Sequence, residues 1–378
     1  MDLNVILLAC AVATGLLGGF GAKFRTSGTR LADLGVGILV GLLFVIVALV
    51  VLVLALGLDV FGAVHLVFLV AVVAVPIGSA IIVIPHLLDR EFRTPMVAWL
   101  LLVLSIGLVG VGLWGSFVEP TRLKVDRQAL NVSSDEVLIV GVLADLQSTT
   151  VGDYERSAVE KLVAAEPDIV VIPGDLYQIP DEDLDATIPE FVGLLRQLRE
   201  AVDTVVMVNG HADHLDVLEE MAESTGVLLL DDQIADLRVN GQNITIVGLT
   251  TPLNDVDEED RETVDPTVLE TLAASYDDDD LVLVVTHKPD PVLSLPEDAP
   301  VDLLIAGHTH GGQVSLPWIG PPYTHSEVPQ QVAAGGLHLV DGFPVYVSTG
   351  VGMERGQAPQ FRFRVRPSVG VLTLLPQP

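Results

Sequence analysis

The chain has 378 residues, half of them hydrophobic, and a net charge of −31. That length accommodates two ordinary domains, and so large an acidic excess excludes nucleic acid, whose binding needs Lys and Arg to replace phosphate counterions. The single cysteine, Cys10, excludes an internal disulfide and any zinc site built on thiolates.

From the amino terminus, four apolar stretches follow one another: Leu3–Ala22, Leu34–Leu58, Phe61–Leu88 and Pro95–Phe117. Each reaches the roughly 20 residues that a helix needs to cross hydrocarbon. Residues 1–118 are therefore expected to form a multi-pass membrane anchor of four helices. Five acidic and five basic side chains balance over this region, so the whole net charge falls on residues 119–378. The first stretch lacks a basic leader and is followed by three more, which argues against a cleaved signal peptide. Lys23, Arg25 and Arg30 follow the first stretch, and Arg90 and Arg93 the third. Arg122, Lys124 and Arg127 follow the fourth. Five against three places the amino terminus and the soluble domain on the outer face of the cell membrane. His65 lies within the third stretch, where no carboxylate is available to pair with it, and reads as a packing residue.

Residues 119–136 are polar and read as a linker, and 137–378 as the catalytic domain. Short apolar runs then alternate with helical patterns. Strands are expected at Val137–Ala144, Asp168–Ile172, Thr204–Val208, Leu281–Val285 and Asp302–Ala306, and helices at Tyr154–Ala165 and Ile188–Arg199. Asn240-Gly241, between Ala235–Val239 and Ile244–Leu249, marks a hairpin with a type I′ turn. Three C-terminal runs, Pro344–Ser348, Phe361–Val365 and Val369–Leu374, suggest further strands. The fold class is α/β: two packed mixed sheets flanked by helices. The acidic runs Asp255–Asp260 and Asp277–Asp280 read as solvated surface of the kind that suits high salt.

The informative polar residues sit where these strands end. The first runs into Asp145-Leu146-Gln147, the second into Gly174-Asp175 and the third into Asn209-Gly210-His211. The later pair runs into His287 and into Gly307-His308-Thr309-His310-Gly311-Gly312-Gln313. In α/β sheets, ligands bind beyond the carboxyl ends of the strands. Residues i and i+2 point to one side there, so His308 and His310 can share a site, as can Asp145 and Gln147. Carboxylates and imidazoles gathered in this way are metal ligands.

These blocks resemble the calcineurin-like metallophosphoesterase superfamily, whose pattern runs D-x-H, G-D, G-N-H, a lone H, then G-H-x-H. The stretch Gly307–Gln313 looks like the membrane-associated bacterial and archaeal branch that carries G-H-T-H-G-G-Q, and the resemblance covers residues 137–375. It implies a four-layer α/β/β/α fold and a phosphohydrolase, of phosphodiesterase type, with two divalent cations. Asp145, position 147, Asp175 and His310 would hold the first. Asp175, an asparagine, His287 and His308 would hold the second. His211 would lie opposite the leaving group as proton donor or charge stabiliser, and Tyr177, Gln178 and Gln313 would line the substrate cleft. The expected substrate is a phosphoester, lipid-linked given the anchor, with membrane lipids as neighbours.

Two departures stand out. Gln147 replaces a histidine with a harder oxygen donor, which tilts the metal preference toward Mn²⁺ or Mg²⁺, with Mn²⁺ the first expectation and Fe and Zn the alternatives. The inverted Asn209-Gly210 puts a glycine at the position of the ligand asparagine. Asn209, Asp213 or His214 could fill that gap. The competing expectation is a metal-binding or sensor module in which these changes have removed turnover.

Overall fold

The computed structural model describes residues 3–25, 47, 50–88, 96–134, 136–250 and 281–377. The acidic runs Asp255–Asp260 and Asp277–Asp280 lie outside them. The chain divides into two compact units, Met1–Val118 with Glu354–Phe361, and Glu119–Met353 with Arg362–Pro378.

The first unit is helical: α1 (Leu3–Arg25), α2 (Val60–Leu69), α3 (Val75–Leu88) and α4 (Met96–Leu113). A π-helical turn, Val70–Ala74, joins α2 to α3, and another, Trp114–Val118, extends α4. Among the described residues, two continuous helices are long and apolar enough to cross a membrane, Val60–Ile84 and Trp99–Thr121. A third, Leu3–Gly19, is apolar but shorter. Most of the expected stretch 34–58 lies outside the described residues, so the expectation of four spans is met for two. Asp59 starts α2 as its N-cap, its carboxylate accepting the Gly62 amide at 2.7 Å. His65 is buried with Nδ1 3.2 Å from the Gln357 carbonyl, and the rings of Phe68 and Phe361 lie 4.5 Å apart.

Among the described residues, the second unit holds twelve strands: β1 (Lys124–Val132), β2 (Leu138–Val142), β3 (Ile169–Pro173), β4 (Val205–Val208), β5 (Leu228–Leu230), β6 (Gln233–Val239), β7 (Gln242–Leu249), β8 (Leu281–Thr286), β9 (Leu303–Ala306), β10 (Gly336–Val340), β11 (Phe343–Val347) and β12 (Ser368–Pro376). One six-stranded sheet runs in the order β1-β12-β2-β3-β4-β5, the other β10-β11-β9-β8-β7-β6. Both are mixed: β2 to β5 are parallel, as are β7, β8, β9 and β11, while β12, β6 and β10 pair antiparallel to a neighbour. The helices α5 (Asp153–Val163), α6 (Leu184–Ala201) and α7 (Leu215–Thr225) cover the first sheet, and a short α8 (Gln330–Ala333) lies against the second.

Strand periodicity builds this layering. Along β8, Leu281, Leu283 and Val285 join the core between the sheets, whereas Val282 and Val284 pack into the outer core of the second sheet. A strand apolar on both faces belongs inside a covered parallel sheet. The hairpin turn has Asn240 at φ 53° and Gly241 at φ 90°, the paired left-handed geometry of type I′.

Two expected elements differ. The stretch 119–136 is no linker over half of its length: β1 pairs in parallel register with β12 from Lys124↔Ser368 to Val132↔Pro376. An edge strand tolerates polar side chains on its outer face, so polarity alone misled. Phe361–Val365 is not a strand; its only ladder contact is a single bridge, Val314↔Phe363. Arg364 at φ 59° breaks the extended backbone there, and Arg362 turns inward.

Candidate metal centre

Five strand ends deliver the expected residues to one place. Asp145 follows β2, Asp175 follows β3, Asn209 follows β4, His287 follows β8 and His308 follows β9. The nearest ligand atoms of Asp145, Asp175 and His287 lie within 4.8 Å of one another, as do those of His211, His287 and His308. His287 joins the two groups: Nε2 is 3.4 Å from Asp175 Oδ2 and 3.1 Å from His308 Nδ1. Asp145 accepts the His308 backbone amide at 2.8 Å, which links the two sheets across the site.

The backbone is bent to achieve this. Asp145, Gln147, Asp175, His308, His310 and Gln313 all have positive φ, between 42° and 68°. Such conformations cost about 1–3 kcal/mol each for residues with a side chain, and they persist where the surroundings over-determine them. Gly350, at φ 67°, fits between two ligands: a β-carbon there would come 2.8 Å from Asp145 Oδ2 and 3.1 Å from His310 Nδ1. Only glycine fits that gap.

The donor set fits divalent cations. His287 Nδ1 lies 2.9 Å from the Pro173 carbonyl, and His308 Nε2 lies 3.1 Å from the His325 carbonyl. With those N–H groups donated outward, the lone pairs on His287 Nε2 and His308 Nδ1 face each other. Two lone pairs at that distance repel unless a proton or a cation lies between them. Donors bound about 2.1 Å from one ion stand roughly 3.0–3.4 Å apart, which is the spacing found from His308 Nδ1 through His287 Nε2 to Asp175 Oδ2. Carbonyls that fix the tautomer of a ligand histidine are the usual support of a metal site. Buried donor atoms without hydrogen-bond partners lie here too: Asp145 Oδ2, His310 Nε2, and both amide atoms of Asn209. Unpaired polar atoms in a dry interior are costly.

Electrostatics agree. Burial pushes the Asp145 carboxyl up to about 7, against the opposing pull of His287. Burial drives His308 and His310 well below the usual imidazole range, so both are neutral and ready to ligate. For His287 burial pulls down, but Asp175 and Asp145 outweigh it and the net direction is upward. The carboxylates thus favour a proton on His287, which a cation would displace.

The replacement candidates separate cleanly. Both oxygens of Asp213 are committed, Oδ1 to the amides of Leu176 and Tyr177 at 2.9 and 3.2 Å and Oδ2 to Gly210 at 3.2 Å. It clamps the Gly174-Asp175 turn instead of ligating. His214 is exposed, with Nε2 3.5 Å from Asp181. Gly210 faces Asp175 directly, since a β-carbon there would overlap the Asp175 amide and carboxylate. That leaves wholly buried Asn209 as the amide nearest in sequence with uncommitted donor atoms. Gln147 is buried, its backbone amide bonded to the Asp175 carbonyl at 2.9 Å.

Of the cleft residues, Tyr177 is a correction. It is fully buried against Phe191, its hydroxyl accepting the His214 amide at 3.0 Å, because an aromatic ring at the start of this loop completes the helix-side core. Gln178 is half-buried and bonds the Ser148 carbonyl through its amide. Gln313 is half-buried, its side-chain oxygen without a partner. His211 is exposed at the rim, its ring 4.9 Å from that of His287 and 4.8 Å from that of His308. Desolvation among those rings lowers its pKa first, and the charge on His287 and Lys288 lowers it further, so it is neutral.

Two participants escaped the sequence reading. His325 lends its carbonyl to His308 and sets its ring 5.7 Å away. Arg362 is wholly buried, donating to the carbonyls of Thr349 at 2.8 Å and Gly352, with Nη2 3.3 Å from His310 Nδ1. Burial lowers its pKa only to about 10, so the guanidinium stays charged and offsets the buried carboxylates. In the sequence Phe361-Arg362-Phe363-Arg364 the two arginines alternate alike, and nothing local marks Arg362 as inward.

Comparison with known proteins places the chain among phosphoesterases by sequence. Residues 139–312 match the family model for calcineurin-like phosphoesterases. An uncharacterised metallophosphoesterase of Bacillus subtilis, YkuE, is 30% identical over 56% of this chain and 68% of its own length. The phosphodiesterase YaeI of Escherichia coli is 26% identical over 56% and 72%. Among solved structures, a dimetal phosphatase from Danio rerio aligns at 14% identity with a TM-score of 0.36, over 57% of this chain and 88% of that one.

Proposed function

The chain belongs to the calcineurin-like phosphoesterase family, and from that premise we propose a membrane-anchored phosphodiesterase that works with two divalent cations, Mn²⁺ foremost. The observation that carries the reading is the approach of His287 Nε2 to His308 Nδ1 at 3.1 Å and to the buried Asp175 carboxylate at 3.4 Å. Asp145, Gln147, Asp175 and His310 would hold one cation, and Asp175, Asn209, His287 and His308 the other, with Asp175 common to both. Such a pair supplies Lewis acidity for a phosphoryl group and a water acidic enough to ionise near neutral pH. The neutral His211 at the rim has one N–H to direct at an oxygen of the phosphoester, so it serves as a hydrogen-bond donor to developing charge. Arg362 and Asp213 touch no substrate; they hold His310 and the Asp175 turn in place.

Helices long and apolar enough to cross a membrane support the anchoring. The distribution of Lys and Arg around the apolar stretches supports an outer-face domain. The glycine at position 210 favours one competing reading, a metal-binding module without turnover. Elemental analysis of the full chain, paired with hydrolysis of an aryl phosphodiester under Mn²⁺, separates the two. The enzyme binds two ions and turns over. One ion or none, with no rate above buffer, overturns it.

A further inference from the structure

Only 19 of the residues are Lys or Arg, against 50 Asp and Glu. Three of those cations nevertheless line a single cleft of about 240 Å³: Lys124, Arg364 and Arg366, together with Ser315 and Thr349. Arg366 is anchored through Nε to the Arg122 carbonyl at 2.9 Å, and Lys124 stands 3.6 Å from Asp126. Arg364 is exposed, and its backbone is held at φ 59°. An arginine in the left-handed region is uncommon enough to suggest a functional constraint. In so acidic a chain a concentrated positive cleft selects an anion, and a guanidinium fork with hydroxyls suits a phosphate group.

The wall of the cleft continues into an apolar tip. Ser315 bonds the Phe363 carbonyl at 2.9 Å, and the next residues form a tight loop closed by Leu316 and Gly320. On it Trp318 is fully exposed, Ile319 is 62% exposed and Tyr323 55%. No charged side chain occurs from Gly311 to Thr324. Exposed Trp and Tyr beside cations are the side chains that settle at a membrane–water interface. Lys124 lies three residues beyond Thr121, where the second membrane-length helix ends, and cations immediately following such a helix favour anionic lipid.

We propose that this face docks an anionic phospholipid, with the phosphate headgroup in the cleft of Lys124, Arg364 and Arg366 and with Trp318 and Ile319 in the acyl region. The inference rests on the membrane anchoring proposed above. Two residues lining the cleft adjoin the candidate metal centre along the chain: Gly311 follows His310, and Thr349 precedes Gly350, where a β-carbon would meet Asp145. A lipid held there sits against the two loops that bear the site.

The test uses the full chain in lipid nanodiscs, with Trp99→Phe and Trp114→Phe leaving Trp318 as the one tryptophan of three. Phosphatidylcholine brominated on its acyl chains quenches Trp318 on contact. Adding phosphatidylglycerol should strengthen the quenching, and Arg364→Gln should lower the docked-to-free ratio about fivefold, the weight of one cation at an anionic surface. Position 364 is exposed, so the variant folds, and circular dichroism checks this. Unquenched emission, or quenching indifferent to phosphatidylglycerol and to Arg364, overturns the proposal. If inorganic phosphate binds the cleft in lipid-free detergent while phosphatidylglycerol leaves the quenching unchanged, the cleft holds a free anion and the lipid assignment falls. Aryl phosphodiester hydrolysis in the same discs reports separately on the enzyme reading, so either can fail alone.

Discussion

The two sheets contribute unlike halves to the metal centre. As proposed, the first would supply oxygen donors and charge through Asp145, Gln147, Asp175 and Asn209. The second supplies His287, His308 and His310, and of these His287 and His308 have their outward nitrogens held by backbone carbonyls. Both departures from the family pattern, Gln147 and Gly210, fall in the first half. The second half sets direction, because an imidazole offers one lone pair along one axis, and a rotated ring is a lost ligand. A carboxylate offers several lone pairs and tolerates shifts. Charge can be supplied from more than one place, and the half that provides it can absorb substitution.

Removing that charge at its centre should have the largest effect. Asp175→Asn keeps the shape and the Ala212 amide bond, 2.8 Å to Oδ1, but removes the anion common to both proposed cation positions. Turnover of an aryl phosphodiester should fall by at least about 10³-fold, more than the loss of a single transition-state donor, and bound metal should drop from two to one or none. Retention of two ions would contradict a shared carboxylate.

The halves also differ in protonation. His308 and His310 are neutral and release nothing on binding a cation. Asp145, raised to about 7, and His287, raised above its usual value, must each give up a proton. Asp145 is protonated below about 7, and His287 holds its proton above the ordinary imidazole range, so affinity rises with pH by about tenfold per unit for each proton displaced and levels off once both are lost. Dye-competition titrations with Mn²⁺ between acid and alkaline pH measure this slope. A flat profile would mean that Asp145 is already ionised without metal.

Gly210 tests whether the first half can be returned to the family pattern. A β-carbon at 210 would overlap the Asp175 amide and carboxylate, so Gly210→Asn should destabilise the fold by about 1–3 kcal/mol, the usual cost of overpacking, and weaken metal binding. Denaturant unfolding reads the first effect. A variant as stable as the parent, with tighter metal binding, would show that the turn yields and that the inverted Asn209-Gly210 is incidental.

Much of this was legible in the chain because strand ends are legible. β2, β3, β4, β8 and β9 are short apolar runs, and each is followed within three residues by a carboxylate, amide or imidazole side chain. β1 was missed because an edge strand carries polar residues as a linker does. Arg362 was missed for a related reason: its partners are carbonyls of residues 349–352 and a histidine at 310, and nothing in its alternation with Phe361 and Phe363 marks it as inward. His325 contributes a carbonyl, and backbone atoms leave no mark on sequence. Tyr177 was misplaced because following a ligand turn does not imply facing the cleft. Side chains that act directly on a ligand stand out by type, whereas those that hold them do so through the fold.

Gln147 offers the smallest and most discriminating change. It lies in the left-handed region at φ 42°, held there by its amide bond to the Asp175 carbonyl. The backbone strain is therefore already present, and any L-residue at 147 inherits it. Gln147→His adds no backbone cost, unlike Gly210→Asn, and replaces a neutral amide with an imidazole, a better donor for Zn²⁺ and Fe²⁺ than for Mn²⁺. Zn²⁺ affinity should rise about tenfold, the low end of what supporting changes at metal sites produce, while Mn²⁺ affinity stays near its starting value. Competition between the two ions on the full chain measures the ratio. If the ratio does not move, position 147 faces no cation, and Asp145, Asp175 and His310 hold that end of the site without it.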